Sequence, residues 1–284
     1  MSERGLIAPV FRSRTLLHVS GLALLCGCYA MLPVWKENSR YADLGDVPSQ
    51  IHAAMTLALG WLLVFRITTA HARWWEARTL WGALVNATRN LMVKLTCLAK
   101  LPLDEYECAA RDLNAFPYAL RDHLRDESQL TALPGFEKSL HRPSHVPLYL
   151  ATGRYEALGR WYQQGTIDGD QLRVIDQELR SLLDVCGACE RIRRTRVIRS
   201  YRFFARQCVT LFLATLPWGL VQDFGWWTVP LSSIAAYFML GMEIVAEHVE
   251  EPFGRDEDDL DLDSICHAIS ASIDEVARSK RNPA

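Results

Sequence analysis

Charge of one sign is scarce in this sequence: 31 Lys and Arg stand against 33 Asp and Glu, a formal net charge of −2 over 284 residues. A balance that close provides no global attraction for nucleic acid, and no nucleic-acid partner is expected. A Gly-rich phosphate loop, a His-Glu-x-x-His pair and a serine nucleophile elbow are all missing. Scattered histidines and carboxylates do not replace them, so no catalytic residue, no cofactor and no enzymatic activity is expected. Eight cysteines occur: Cys26, Cys28, Cys97, Cys108, Cys186, Cys189, Cys208 and Cys266. They are scattered through apolar and helical patterns, which excludes a secreted disulfide framework and suits free thiols. Internal repeats and low-complexity tracts are also lacking.

What the chain does have is hydrophobicity, half of its residues, gathered towards both ends with a charged middle. That distribution reads as a membrane protein with a soluble insertion. Residues 15–35 form a first apolar run behind Arg4, Arg12 and Arg14. The run is long for a signal peptide and no small-x-small site follows it, so it reads as an uncleaved span with its basic end inside. Residues 36–50 make a short outer loop, and 51–66 return to the cytosol. Residues 203–221 and 228–245 form a third and a fourth span. They are joined by a turn at Asp223 and Gly225 and anchored by Trp226 and Trp227. Each span is near the twenty residues a bilayer requires. The expected fold class is an all-α membrane protein of about four transmembrane helices with a helical cytosolic domain. Its expected divisions are 1–72 (N-terminus and first hairpin), 73–202 (cytosolic helices), 203–249 (second hairpin) and 250–284 (acidic loop and last helix). The expected location is the inner membrane, multi-pass, with both termini cytoplasmic and lipids as partners.

The stretch 51–65 is apolar all round, without the polar stripe of a soluble helix, and changes abruptly at Arg66. Leu57, Trp61 and Phe65 recur at i, i+4, i+8 and share one helix face. They could form an apolar pore constriction, which gates by dewetting; spacing alone favours packing against a neighbouring helix. Arg66 and Arg73 lie at the inner membrane edge, where Glu76, Glu243 and Glu247 could pair with them as structural ion pairs. Arg191, Arg193, Arg194, Arg196, Arg199, Arg202 and Arg206 form a basic run. It reads either as a positive-inside flank or as a vestibule that gathers anions. Cys186 and Cys189 have redox C-x-x-C spacing but fall inside a helical run, LRSLLDVCGACERI, rather than at a helix start after a strand. The acidic loop around Asp256 and Asp259 is short of the six or more oxygen ligands calcium needs, so no metal site is expected; helix capping by Asp263 or Ser264 explains its end.

Three blocks, far apart and in order, resemble the bacterial branch of the bestrophin family. The first is LVFRITTAHARWWEARTLWGALVNATRNL, with Phe65-Arg66, Arg73-Trp74-Trp75-Glu76-x-Arg78, Leu80-Trp81-Gly82 and Arg89-Asn90. The second is Cys189-Glu190-Arg191-Ile192 with Thr195 and Tyr201. The third is Glu250-Glu251-Pro252-Phe253-Gly254 followed by Asp258-Asp259-Leu260, Leu262-Asp263 and Ile265-Cys266. The resemblance implies a homopentameric channel for small inorganic ions, with the second span of each subunit around one central pore. Leu57, Trp61 and Phe65 match the family's neck, where Trp61 replaces a smaller aliphatic residue. Thr195-Arg196-Val197-Ile198 stands where relatives carry Thr-Pro-Ile-Pro. That match makes Val197 the expected cytosolic aperture, with Arg196 beside it. Asp256 and Asp259 fall on ligand positions of the calcium clasp of animal members, a control that bacterial members generally lack. Anion passage, such as chloride, is the expected activity. The alternatives are a cation-conducting homologue, a non-conducting scaffold and a membrane thiol oxidoreductase using Cys186 and Cys189.

Overall fold

A computed structural model describes residues 13–40, 48–195 and 198–281. Among the described residues there is no strand. The helices are α1 (Arg14–Glu37), α2 (Ser49–Cys97), α3 (Leu103–Leu124), α4 (Val146–Gln163), α5 (Gly169–Arg194), α6 (Arg199–Phe224), α7 (Thr228–Glu250) and α8 (Leu262–Arg281). Three stretches are long and apolar enough to cross a membrane: Thr15–Glu37, Gln50–Cys97 and Arg199–Glu250. The last contains both α6 and α7, joined through Gly225 at a positive φ of 52° and a single 3-10 turn over Gly225–Trp227. α2 carries no proline over its 49 residues and therefore runs unbroken. At about 1.5 Å per residue it is roughly 74 Å long, more than twice the thickness of a bilayer's hydrocarbon core. Prolines are not breakers elsewhere either: Pro33, Pro117 and Pro217 sit inside α1, α3 and α6.

The chain divides into two compact units. The first comprises 1–74, 196–251 and 256–258, and holds α1, the N-terminal half of α2, α6 and α7. Ala23, Leu59, Leu63, Val209, Phe212, Leu213, Leu216 and Ala236 form its apolar core. Small residues bring these helices close, as in membrane bundles generally. A Cβ on Gly27 would lie 2.1 Å from the Ser233 hydroxyl, and one on Gly219 would lie 2.4 Å from the His52 ring. Polar groups inside the bundle find partners across it. His52 Nε2 and Thr215 Oγ1 are 3.1 Å apart, Tyr29 donates to the Ala214 carbonyl, and Trp218 Nε1 donates to Tyr29.

The second unit comprises 75–195, 252–255 and 259–284. Trp81, Leu84, Met92, Tyr106, Phe116, Leu120, Ile175, Leu179 and Leu182 are fully buried in it. Its helix starts are explicit in the sequence. Asp168 accepts from the backbone N–H groups of Asp170 and Gln171, while the Gln171 side chain accepts from the Asp168 N–H, a complete capping box. The expected caps of the last helix are corrected. Asp261 Oδ1 accepts from Ser264 N–H at 2.9 Å, whereas Asp263 is drawn into ion pairs with Arg121 on α3 and with Arg125, its C-cap.

Candidate functional site

Leu57, Trp61 and Phe65 are exposed on α2 to 67, 61 and 60%, while Leu59 and Leu63 on the same helix are buried at 5 and 6%. The alternation follows from the 3.6-residue period: one face packs on α6 and its neighbours, the other is left uncovered by the protomer. The Trp61 and Phe65 rings lie 5.9 Å apart at 33° and form one continuous aromatic surface. Nothing approaches a Cβ placed on Gly60, so this face is open beside the Trp61 ring as well. Below Phe65, the exposed Thr68 and Thr69 turn their hydroxyls back onto the helix carbonyls of Val64 and Phe65.

Directly after Phe65 the charges begin, on the packed side of the helix. Arg66 pairs with Glu243 at 3.0 Å and reaches Glu250 at 4.0 Å; their side chains are 4, 4 and 6% exposed. Arg206 adds a contact to Glu243 at 3.7 Å and a hydrogen bond to Glu247 at 2.7 Å. Arg73 donates to the Glu250 carbonyl at 3.3 Å. Glu76 lies in the second unit, where it accepts from Arg191 at 2.8 Å. Of the expected set, Arg66 and Glu243 are thus brought together, while Glu76 pairs with Arg191.

The basic run is partly neutralised by its neighbours. Arg191 is held by Glu76, Arg193 by Asp126 and by the His123 carbonyl, and Arg206 by Glu247. Arg194 and Arg199 are exposed. The expected aperture residues Arg196 and Val197 lie outside the described residues.

Cys186 and Cys189 are both buried in the middle of α5. Burial pushes the Cys186 thiol up to about 12 and raises Cys189 as well. Buried, protonated thiols far from a helix N-terminus are poor nucleophiles. In the acidic loop, Asp256 is exposed, and Asp258 approaches His248 Nδ1 at 3.4 Å and accepts at its carbonyl from Trp74. Asp259 lies against Gly254, where a Cβ would meet its carboxylate at 2.5 Å. The metal-ligating side chains that do converge among the described residues are His123, His145 and Glu190. Sequence reasoning missed this cluster. Its members come from the end of α3, the N-cap of α4 and the last turns of α5, with no local spacing to connect them.

Similarity to known proteins agrees with this architecture. The family model described as Bacterial/Fungal Bestrophin protein matches residues 4–275. The voltage-dependent anion channel-forming protein of Nostoc sp. is 34% identical over 236 residues, covering 80% of this chain and 77% of that protein. The voltage-dependent anion channel-forming protein YneE of Escherichia coli is 32% identical over 226 residues, covering 76% and 73%. Among solved structures, a mutant of a bacterial bestrophin homologue from Klebsiella pneumoniae superposes with a TM-score of 0.84 at 25% identity. It covers 91% of this chain, and 98% of that chain is matched. A match over nearly the whole length, together with the apolar helices, makes this a membrane protein that belongs to the bacterial and fungal bestrophin family.

Proposed function

We propose that this protein is an anion channel, passing chloride-like monovalent ions through a pore enclosed by five copies of the chain. The observation that carries this reading is the exposed Leu57–Trp61–Phe65 face on a helix whose other faces bury Leu59, Leu63 and Arg66. One protomer cannot enclose a channel, and five such faces around an axis give an apolar neck that conducts only when wetted. The spans are four: α1, the first half of α2, α6 and α7. Both termini, the segments 73–202 and 250–284 and the acidic loop then lie on the cytoplasmic side of the inner membrane. Arg66, Arg73, Glu76 and Glu243 act as structural ties rather than ion ligands. Val197 forms a second, cytosolic constriction, with Arg196 beside it; Asp256 and Asp259 serve as acidic groups of the loop rather than as calcium ligands.

Anion preference is supported by the names of the relatives and by the positive residues nearest Val197 in sequence. Arg196 and Arg199 flank it in sequence, while the glutamates of α7 are engaged by Arg66 and Arg206. Exposed charges act over about 8–10 Å at physiological salt, so the nearest arginines set the local field. The protein acts without cofactor or catalysis, and its partners are its own copies, lipids and the permeant ion. Chloride efflux from liposomes containing purified protein, with the particle mass measured by native mass spectrometry, tests both halves. Chloride flux by a five-chain particle is expected. A monomer in several mild detergents, or a five-chain particle without flux, overturns the reading; the second outcome leaves a scaffold.

A further inference from the structure

Three side chains from three helices of the second unit converge on one point. His123 Nε2 lies 2.9 Å and His145 Nε2 lies 2.7 Å from the same oxygen, Oε1 of Glu190. The two imidazoles stack with centroids 4.3 Å apart at 27°. All three ligand atoms fall within 4.8 Å of one another. We propose that His123, His145 and Glu190 form a binding site for a zinc-class divalent cation.

The chemistry of the donors selects the metal. Two imidazole nitrogens and one carboxylate suit zinc and its first-row neighbours; calcium and magnesium prefer all-oxygen shells. Two histidines with one glutamate is a known zinc ligand set that leaves the fourth position to water. Water can reach it, since the three side chains retain 16, 30 and 20% exposure. Tetrahedral zinc holds its ligand atoms roughly 3.4 Å apart. The ion therefore enters by spreading the two short N–O contacts, by about 0.5 Å at His123 and about 0.7 Å at His145.

Surrounding groups prepare the ligands. Burial and the neighbouring His145 lower the His123 pKa against the pull of Glu190, which favours the neutral ring that a metal requires. Burial works against the Glu190 carboxylate, but its hydrogen bonds from His145 and His123 prevail and hold it ionised. Cys186 donates its S–H towards the same Glu190 oxygen at 3.8 Å and steadies the carboxylate from behind. One positive neighbour opposes a cation: Arg193, which donates to the His123 carbonyl, but its charge is engaged by Asp126. One rearrangement is also required. His145 Nδ1 accepts from Leu148 N–H as the N-cap of α4, so its ring proton sits on Nε2. Coordination through Nε2 moves that proton to Nδ1 and releases the cap. No proton is lost to solvent when both rings are neutral, because each only shifts its proton from one nitrogen to the other.

The test uses full-length protein in detergent, stripped with a chelator, desalted, and titrated with Zn2+ against a chromophoric competitor. One zinc per chain is expected, undisturbed by excess Ca2+ or Mg2+. His145→Asn removes a ligand but keeps a good capping residue, and His123→Gln preserves the bulk of the other ligand. With both changes, zinc affinity should fall at least a hundredfold, a larger loss than removing a mere supporting partner brings. Far-UV circular dichroism and gel filtration should remain as in the wild type. The site is refuted if the wild-type chain takes up no zinc, or if the folded double variant binds zinc as tightly as before. Anomalous scattering at the zinc edge, in crystals of the wild-type protein, should place the ion between the two rings. An ion found only elsewhere also refutes it. Neither result depends on conduction, so the metal site and the channel reading stand or fall separately.

Discussion

At the scale of single residues, Arg66 is the costliest to change. It sits almost fully buried between Glu243 and Glu250. Two buried carboxylates facing one guanidinium are tolerable only while the guanidinium is present. Arg66→Met should therefore destabilise the protomer by about 3–5 kcal/mol, read as a fall in thermal unfolding temperature in detergent. Adding Glu243→Gln and Glu250→Gln should recover much of that loss, because the orphaned charges are removed with their partner. The burial of His123 gives a second prediction at this scale. His123 has a pKa below its ordinary 6.5 in the folded protein, so the unfolded chain binds the proton more readily there. Stability must then decline as pH falls below about 6.5, and level off beneath the folded value. Glu190, held below its ordinary 4.5, adds a separate loss at lower pH, as its carboxylate is protonated in turn. His123→Gln should abolish the first decline and leave a carboxylate step, which thermal unfolding in a pH series would reveal.

At the scale of elements, α2 presents the proposed neck and packs on α6 through Leu59 and Leu63. Trp61 is mostly uncovered in the protomer, so Trp61→Ala leaves no internal cavity and should change protomer stability by less than about 0.5 kcal/mol. The same change should raise chloride flux in liposomes, since a hydrophobic barrier drops as the constriction widens. Unchanged flux with intact assembly would remove Trp61 from the neck. Gly219→Ala acts on the opposite face, where the added methyl would meet the His52 ring at 2.4 Å. A buried ring cannot swing away as a flexible chain tip does, so the cost should be about 1–3 kcal/mol. Heating scans on the purified variant would show it. The contrast explains what was legible in the sequence. Apolarity all round a helix marks a span whichever side faces the protein, so residues 51–65 could be read directly. Which of its faces packs depends on small residues such as Gly219 more than 150 residues away, and no local pattern carries that information. The capping box at Asp168 is local, since it joins only Asp168, Asp170 and Gln171. The Asp261 cap was misjudged because Asp263 is claimed by Arg121 and Arg125, a tertiary competition. The His123–His145–Glu190 cluster was invisible for the same reason.

At the scale of the whole molecule, selectivity is the property that the chains of the proposed pentamer would share. If Arg196 faces the ion path, Arg196→Glu places five negative charges where five positive ones stood. The reversal potential under a salt gradient should then move towards cations, and move further at low ionic strength, where screening is weakest. Absence of a shift at low salt would exclude Arg196 from the path and leave selectivity to the uncharged neck.

The buried Arg66–Glu243 pair also has a consequence for how the protein is made. Glu243 follows Arg66 by about 180 residues, so at roughly 5–20 residues per second some 10–35 seconds of translation separate the two charges. During that interval Arg66 is already at the membrane's inner edge without its carboxylates, and its long side chain must reach for lipid headgroups or water. The first hairpin therefore waits, inserted but undocked, until α7 emerges and draws the guanidinium inward. On the proposed topology, the last span to be synthesised is the one that completes the seat of α2.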